Sequence, residues 1–201
     1  MMKLACPVIL ASASPRRKEL LAGMGIEFAV IPADVAEIPA GNGCPAAELA
    51  RLNACLKAEA VSAQHPGSLV IGSDTVVECG GRIYGKPHTP AEAHSMLRQL
   101  SGQMHRVMSG VALRLKNRGL DCSFTELSHV TFKELSDPVI REYMKLVNVM
   151  DKAGAYAIQE HSELILEHLD GSLANVIGLP VERLEQELRR LDGSFHFLTG
   201  L

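Results

Sequence analysis

The stretch Val8-Ile9-Leu10-Ala11-Ser12-Ala13-Ser14-Pro15-Arg16-Arg17-Lys18-Glu19-Leu20-Leu21 sets the reading of the chain. Val8–Ala11 is a short unbroken apolar run, the pattern of a buried strand. Ser14-Pro15 then opens a helix, with Ser at the N-cap, Pro at the first helical position and Gly23 near the end. A strand feeding a helix this way turns free N–H groups and the positive end of the helix dipole toward the connecting loop. Ser12 and Ser14 add hydroxyls there. Arg16 and Arg17 add forked donors that match phosphate oxygens. The loop suits an oligophosphate, although an ordinary N-cap followed by solvated arginines has the same local sequence.

Further elements follow on the C-terminal side. Phe28–Ile31 reads as a second short strand, and residues 38–44 as a Pro/Gly/Asn loop. Residues 45–64 are Ala-rich, with Leu49, Leu52, Leu56 and Val61 roughly on one face, which predicts a helix. Ser68–Gly72 is a buried strand, and Thr75–Cys79 and Arg82–Tyr84 flank Gly80-Gly81 as a hairpin. Pro90–Leu100 is a helix closed near Gly102. His105–Leu115 and Leu120–Phe132 are long strands joined through Asn117-Arg118-Gly119. Asp137-Pro138 starts a helix to about Leu146, Leu164–Leu169 is a strand, Gly171-Ser172 a turn, and Val181–Leu191 a final amphipathic helix. Strands and helices mixed with two hairpins argue for an α/β (mixed α+β) domain with a mixed sheet, not a strict βαβ array. One domain over residues 1–201 is expected at this length.

The 201 residues carry 20 Lys+Arg against 23 Asp+Glu, a formal net charge of −3. A surface that grips a nucleic-acid backbone shows a basic excess. With no Trp and 4% aromatic residues, base-stacking platforms are also disfavoured, so no nucleic-acid polymer is expected as partner. Five cysteines, Cys6, Cys44, Cys55, Cys79 and Cys122, show no C-x-x-C spacing, which fits free thiols in a reducing cytoplasm. No H-E-x-x-H and no Cys/His cluster suggest zinc. No apolar run approaches the ~18–20 residues of a membrane span, and Pro7 and the polar 12–17 stretch interrupt the N-terminal one.

Other segments could carry chemistry. Ser73-Asp74-Thr75 follows a buried strand, where a carboxylate can hold a metal ion or activate water; it can equally cap a turn. Residues 80–86 match G-x-x-x-x-G-K, yet Pro87 replaces the metal-binding Ser/Thr and Gly80-Gly81 sits between strands. That excludes a P-loop and leaves Lys86 as a lone cation after a Gly, or equally a solvated loop lysine. In Asp151–Gln159 the small residues permit close backbone approach, and Gln159 offers a donor and an acceptor to a base edge, although a tightly packed strand or turn is the plainer reading of the same residues. Gly171–Pro180 says only that a turn leads into a helix. His105 reads as a packed strand histidine.

Taken in order, these motifs resemble the Maf family of nucleotide pyrophosphatases. The matching pieces are Leu10–Leu21, Ser73-Asp74-Thr75-Val76-Val77, Gly85-Lys86-Pro87, residues 96–107, Asp151–Gln159 and Gly178-Leu179-Pro180. The resemblance implies an inosine-triphosphatase-like fold with a long mixed sheet, surrounding helices and a cleft between two lobes. It implies hydrolysis of a nucleoside triphosphate to the monophosphate and pyrophosphate with a divalent metal cation, Mg²⁺ or Mn²⁺, and a homodimer. Asp74 resembles the family's catalytic acid/base. Ser12, Arg16, Arg17, Lys57 and Lys86 resemble its phosphate-binding residues, and Glu37 with Asp74 its metal ligands. Arg16, Thr75 and Gln159 would set the specificity of the branch that prefers dTTP and UTP. Ser73, Ser109, residues 160–163 and Leu173-Ala174 depart from the usual family pattern. A nucleotide-binding regulator with little turnover, concerned with cell division, is the alternative function.

Overall fold

The computed structural model describes residues 3–41, 43–195 and 198–199. Its elements run β1 (Lys3–Leu4), β2 (Val8–Leu10), α1 (Pro15–Gly23), β3 (Ala29–Val30), α2 (Ala46–Gln64), β4 (Leu69–Cys79), β5 (Arg82–Tyr84), α3 (Pro90–Leu100), β6 (Met104–Leu115), β7 (Leu120–Phe132), α4 (Asp137–Leu146), α5 (Ser162–Ile165), β8 (Leu166–Asp170), α6 (Leu173–Ile177), α7 (Val181–Phe195) and β9 (Leu198–Thr199). Short 3-10 turns occupy Lys116–Arg118 and Ala153–Ala155. A mixed seven-stranded sheet has the order β3-β2-β4-β6-β7-β8, with β5 also on β4. β2 is parallel to β3 and β4, and the pairs from β4 through β8 are antiparallel. β1 pairs with β9 apart from this sheet.

The expected break at Ser73-Asp74 does not occur. β4 runs straight through it because β6 pairs along nearly all of it, from Val70↔Arg114 to Glu78↔Arg106. Asp74 therefore stands mid-strand rather than at a strand end. On its other edge β4 pairs with β2 over Leu69–Ile71 and with β5 over Val77–Cys79. Between them, residues 72–76 have no strand partner on that edge among the described residues, and side chains from α1 and α2 reach β4 there.

α2 lies on the sheet at backbone contact. A Cβ on Gly72 would overlap the Ala54 carbonyl oxygen, and one on Gly110 the Ala50 carbonyl oxygen. Ala50, Ala54 and Ala58 are fully buried beneath it. This close approach selects small side chains, so the buried face carries Ala50, Asn53, Ala54, Lys57 and Ala58 beside Leu49 and Val61. The leucine row expected from periodicity is displaced: Leu56 is 39% exposed and Leu52 only partly buried. Asn53 and Lys57 are thereby carried against the open stretch of β4.

One apolar cluster gathers Leu97, Leu100, Phe132, Ile140 and Tyr143; another gathers Leu10, Leu21, Ile71, Leu113 and Leu188. No helix among the described residues is long and apolar enough to cross a membrane.

Candidate active site

Ser14 caps α1 by accepting the Arg17 N–H at 3.5 Å. Ser12 Oγ accepts the Ser14 N–H (3.3 Å) and Arg17 Nη1 (3.2 Å), so both hydroxyls of the turn are folded onto their own loop. The Arg17 guanidinium continues inward, with Nε donating to the Gly178 carbonyl (2.9 Å) and Nη2 to Thr75 Oγ1 (3.1 Å). Thr75 Oγ1 lies 2.8 Å from Ser109 Oγ, which donates to the Asn175 carbonyl. Three of the five N–H groups of Arg17 are thus committed to the wall and two remain for a ligand. Burial pushes its pKa below the ordinary value, while the Asp74 charge opposes that shift. The Gly171–Pro180 segment has a role its sequence does not disclose. It forms α6, and Gly178, at φ 133°, presents the carbonyl that seats Arg17.

At the floor, the Lys57 ammonium lies 2.8 Å from Asp74 Oδ1 and 2.7 Å from Glu37 Oε1. Burial alone would raise the Glu37 carboxyl, but the Lys57 hydrogen bond, with the charges of Lys57, Lys86 and Arg17, holds it below the usual carboxylate value. Two of the three N–H donors of Lys57 therefore face carboxylates, and one remains. Arg16 is also paired: Nη1 meets Asp151 Oδ2 at 2.9 Å and Nη2 the Asp151 carbonyl at 3.4 Å. Buried Lys152 grips the same carboxylate at Oδ1, 2.8 Å away, and the Asn148 carbonyl. Lys86, by contrast, is exposed and makes no hydrogen bond or ion pair among the described residues.

Ser12, Arg16, Arg17, Glu37, Lys57, Asp74, Thr75, Lys86 and Gln159 all line one cleft of about 800 Å³. Its lining comes from the 11–17 loop, residues 37–40, α2, the middle of β4, and residues within 82–88 and 151–159. Sequence reading misses Asn53, Asp151 and Lys152 as separate participants. The first is signalled only by an amide on a face that α2 buries, the others only by charge inside the quoted 151–159 segment.

Among the described residues no cluster of three Asp, Glu, His or Cys forms an all-protein metal cage. The two carboxylates Glu37 and Asp74, opening onto a cationic cleft, fit a hard divalent cation that takes its other ligands from phosphate and water.

A family model described as Maf-like protein matches residues 7–191. The chain belongs to the Maf family. Maf relatives named dTTP/UTP pyrophosphatase include one from Akkermansia muciniphila, 51% identical, with 87% of this chain and 91% of the relative covered. Others are from Geobacter sulfurreducens, 45% identical with coverage of 92% and 96%, and Bacillus cytotoxicus, 42% identical with coverage of 94% and 97%. Among solved structures, the Ham1 protein of Staphylococcus aureus superposes with a TM-score of 0.52 at 11% identity, over 92% of this chain and 98% of that one. The Maf chain thus has the expected fold class: an inosine-triphosphatase-like mixed α/β architecture around a long mixed sheet.

Proposed function

We propose that this Maf chain is a nucleoside triphosphate pyrophosphatase that converts dTTP and UTP to the monophosphate and pyrophosphate. The observation that carries the reading is the Asp74–Lys57–Glu37 group, set beside the arginine-bearing N-terminus of α1 in a cleft of nucleotide size. The dTTP/UTP names of the relatives support the pyrimidine preference. The reading makes it an enzyme of the cytoplasm acting on free nucleotide, and the family resemblance adds a homodimer.

Glu37 and Asp74 would hold a Mg²⁺ or Mn²⁺ ion, which when bound neutralises charge on the triphosphate oxygens. Asp74 orients a water molecule and accepts its proton as the water oxygen bonds to the α-phosphorus. The α–β anhydride bond breaks and its electron pair leaves with pyrophosphate. Arg17, Lys86 and the N-terminus of α1 stabilise the charge that grows on the leaving oxygens, with Ser12 holding Arg17 in place. Lys57 keeps the two carboxylates apart yet adjacent. Arg16 and Gln159 face the base, and Thr75 acts through its bond to Arg17.

A hydrolysis screen over canonical and modified triphosphates with Mg²⁺ tests this function. Pyrophosphate release highest on dTTP and UTP, lost in folded Asp74→Asn, is the expected result. Near-normal release by Asp74→Asn would remove Asp74 as the base.

A further inference from the structure

Asn53 lies on α2 one turn before Lys57 and is 3% exposed. Its neighbours on the same face are Leu49, Ala50 and Ala54, and an amide buried among them needs its hydrogen bonds satisfied. Oδ1 accepts the Ile38 N–H at 2.8 Å, and Nδ2 donates to the Ile38 carbonyl at 3.2 Å. Nδ2 also faces Asp74 Oδ2 at 3.4 Å. The first two contacts grip both backbone groups of one residue, the pairing a neighbouring strand would otherwise supply. Residues 31–39 have no helix or strand of their own, so the grip tethers an irregular segment to α2. Glu37 is the residue immediately before Ile38. One buried side chain thereby fixes the backbone beside one cleft carboxylate and contacts the other directly.

Lys57 joins the same two carboxylates by hydrogen-bonded ion pairs, but these contacts reach only the side-chain oxygens of Asp74 and Glu37. The planar amide of Asn53 adds a directional link. A leucine would fill similar volume, but the Ile38 backbone groups and Asp74 Oδ2 would lose their partner. Packing alone therefore does not account for the amide.

We propose that Asn53 is a positioning residue that couples the Glu37 segment to Asp74, holding the two carboxylates at the spacing a divalent cation and the triphosphate require. The proposal rests on the pyrophosphatase reading of this cleft, but the coupling has readouts that need no turnover.

Two variants break the link from opposite ends. Asn53→Leu removes the amide from α2; Ile38→Pro removes the N–H from the loop and leaves α2 intact. Each is compared with wild type by Mn²⁺ titration without nucleotide, by amide exchange over residues 34–41, and by kcat and KM on dTTP. The expected result is faster exchange over that segment and Mn²⁺ affinity lower by about 10–100-fold, the cost of losing a residue that orients a metal ligand. kcat should fall about tenfold or more on the same grounds, with KM near wild type because Arg17 and Lys86 are untouched. Wild-type Mn²⁺ affinity and exchange in both folded variants would overturn the proposal. So would a defect confined to Asn53→Leu with Ile38→Pro normal, which would make the role one of helix packing. Should wild type release no pyrophosphate while Mn²⁺ binding still depends on Asn53, the pyrophosphatase reading fails and the coupling stands.

Discussion

Lys57 on α2 and Asp74 in the middle of β4 meet at 2.8 Å, each with 11% of its side chain exposed. Without that ammonium two neighbouring carboxylates would repel each other unscreened, since Glu37 Oε1 also lies 2.7 Å from it. Lys57→Met keeps the length and removes the charge. Its kcat on dTTP should fall by about 10²–10³, the scale of a preorganised electrostatic contact. Its unfolding free energy in urea should drop by ~1–3 kcal/mol, the cost of partly buried acceptors left unpaired. Full activity in the folded variant would reduce Lys57 to scaffold.

Gly110 allows α2 to touch β6 at the Ala50 carbonyl oxygen. Gly110→Ala forces the helix outward, and with it Asn53 and Lys57. The expected loss of stability is about 1–3 kcal/mol, typical of overpacking, accompanied by reduced kcat although residue 110 does not line the cleft. Gly23→Ala, where a Cβ meets nothing within 4 Å, is the control and should leave both unchanged or slightly improve stability.

The Arg16–Asp151 pair bridges α1 and the 151–159 segment, with side chains 22% and 47% exposed. Burial alone would raise the Asp151 carboxyl, but Lys152 and Arg16 outweigh it and hold it below its ordinary value. The bridge therefore survives to lower pH than an ordinary, unpaired aspartate would allow. Because it is solvent-screened, Asp151→Asn should cost less than about 1 kcal/mol in stability. The effect should appear in selectivity. The ratio of kcat/KM for dTTP over dCTP is expected to shift about tenfold, the scale of one hydrogen bond to a charged group, as Arg16 is released.

His105, 1% exposed, shares a 3.0 Å hydrogen bond with the Tyr156 hydroxyl. Burial lowers its pKa from 6.5 to about 4. The unfolded imidazole takes up its proton near pH 6.5 while the folded one stays neutral down to about 4. Unfolding is then coupled to proton uptake, and stability declines as pH falls through that window. The contribution between pH 7.5 and 5 is about 2 kcal/mol. Urea midpoints at the two pH values should converge in His105→Gln relative to wild type; an unchanged gap would assign the pH dependence to other groups.

Much of the fold is legible because its signals are local. Ser14-Pro15 and Pro90 mark helix starts where α1 and α3 begin, and the structure caps them with the Ser14 and Thr89 hydroxyls. Gly80 and Gly81, at φ 57° and 82°, make the expected hairpin. The misread features depend on distant partners. β4 passes through Asp74 because β6 pairs with it, and α2 turns its alanines inward because Gly72 and Gly110 leave room for nothing larger. The nine residues named from resemblance reach one cleft, but how their charges are shared is not written in any motif. Arg17 is seated by a carbonyl 161 positions away, and Arg16 is paired 135 positions away.

Hydrolysis of dTTP or UTP in ¹⁸O-labelled water, followed by mass analysis of both products, tests the central claim most directly. If Asp74 directs water at the α-phosphorus, the label enters the nucleoside monophosphate, one atom per turnover, and the pyrophosphate stays unlabelled. Label in pyrophosphate or orthophosphate, or no turnover on either nucleotide, would contradict it.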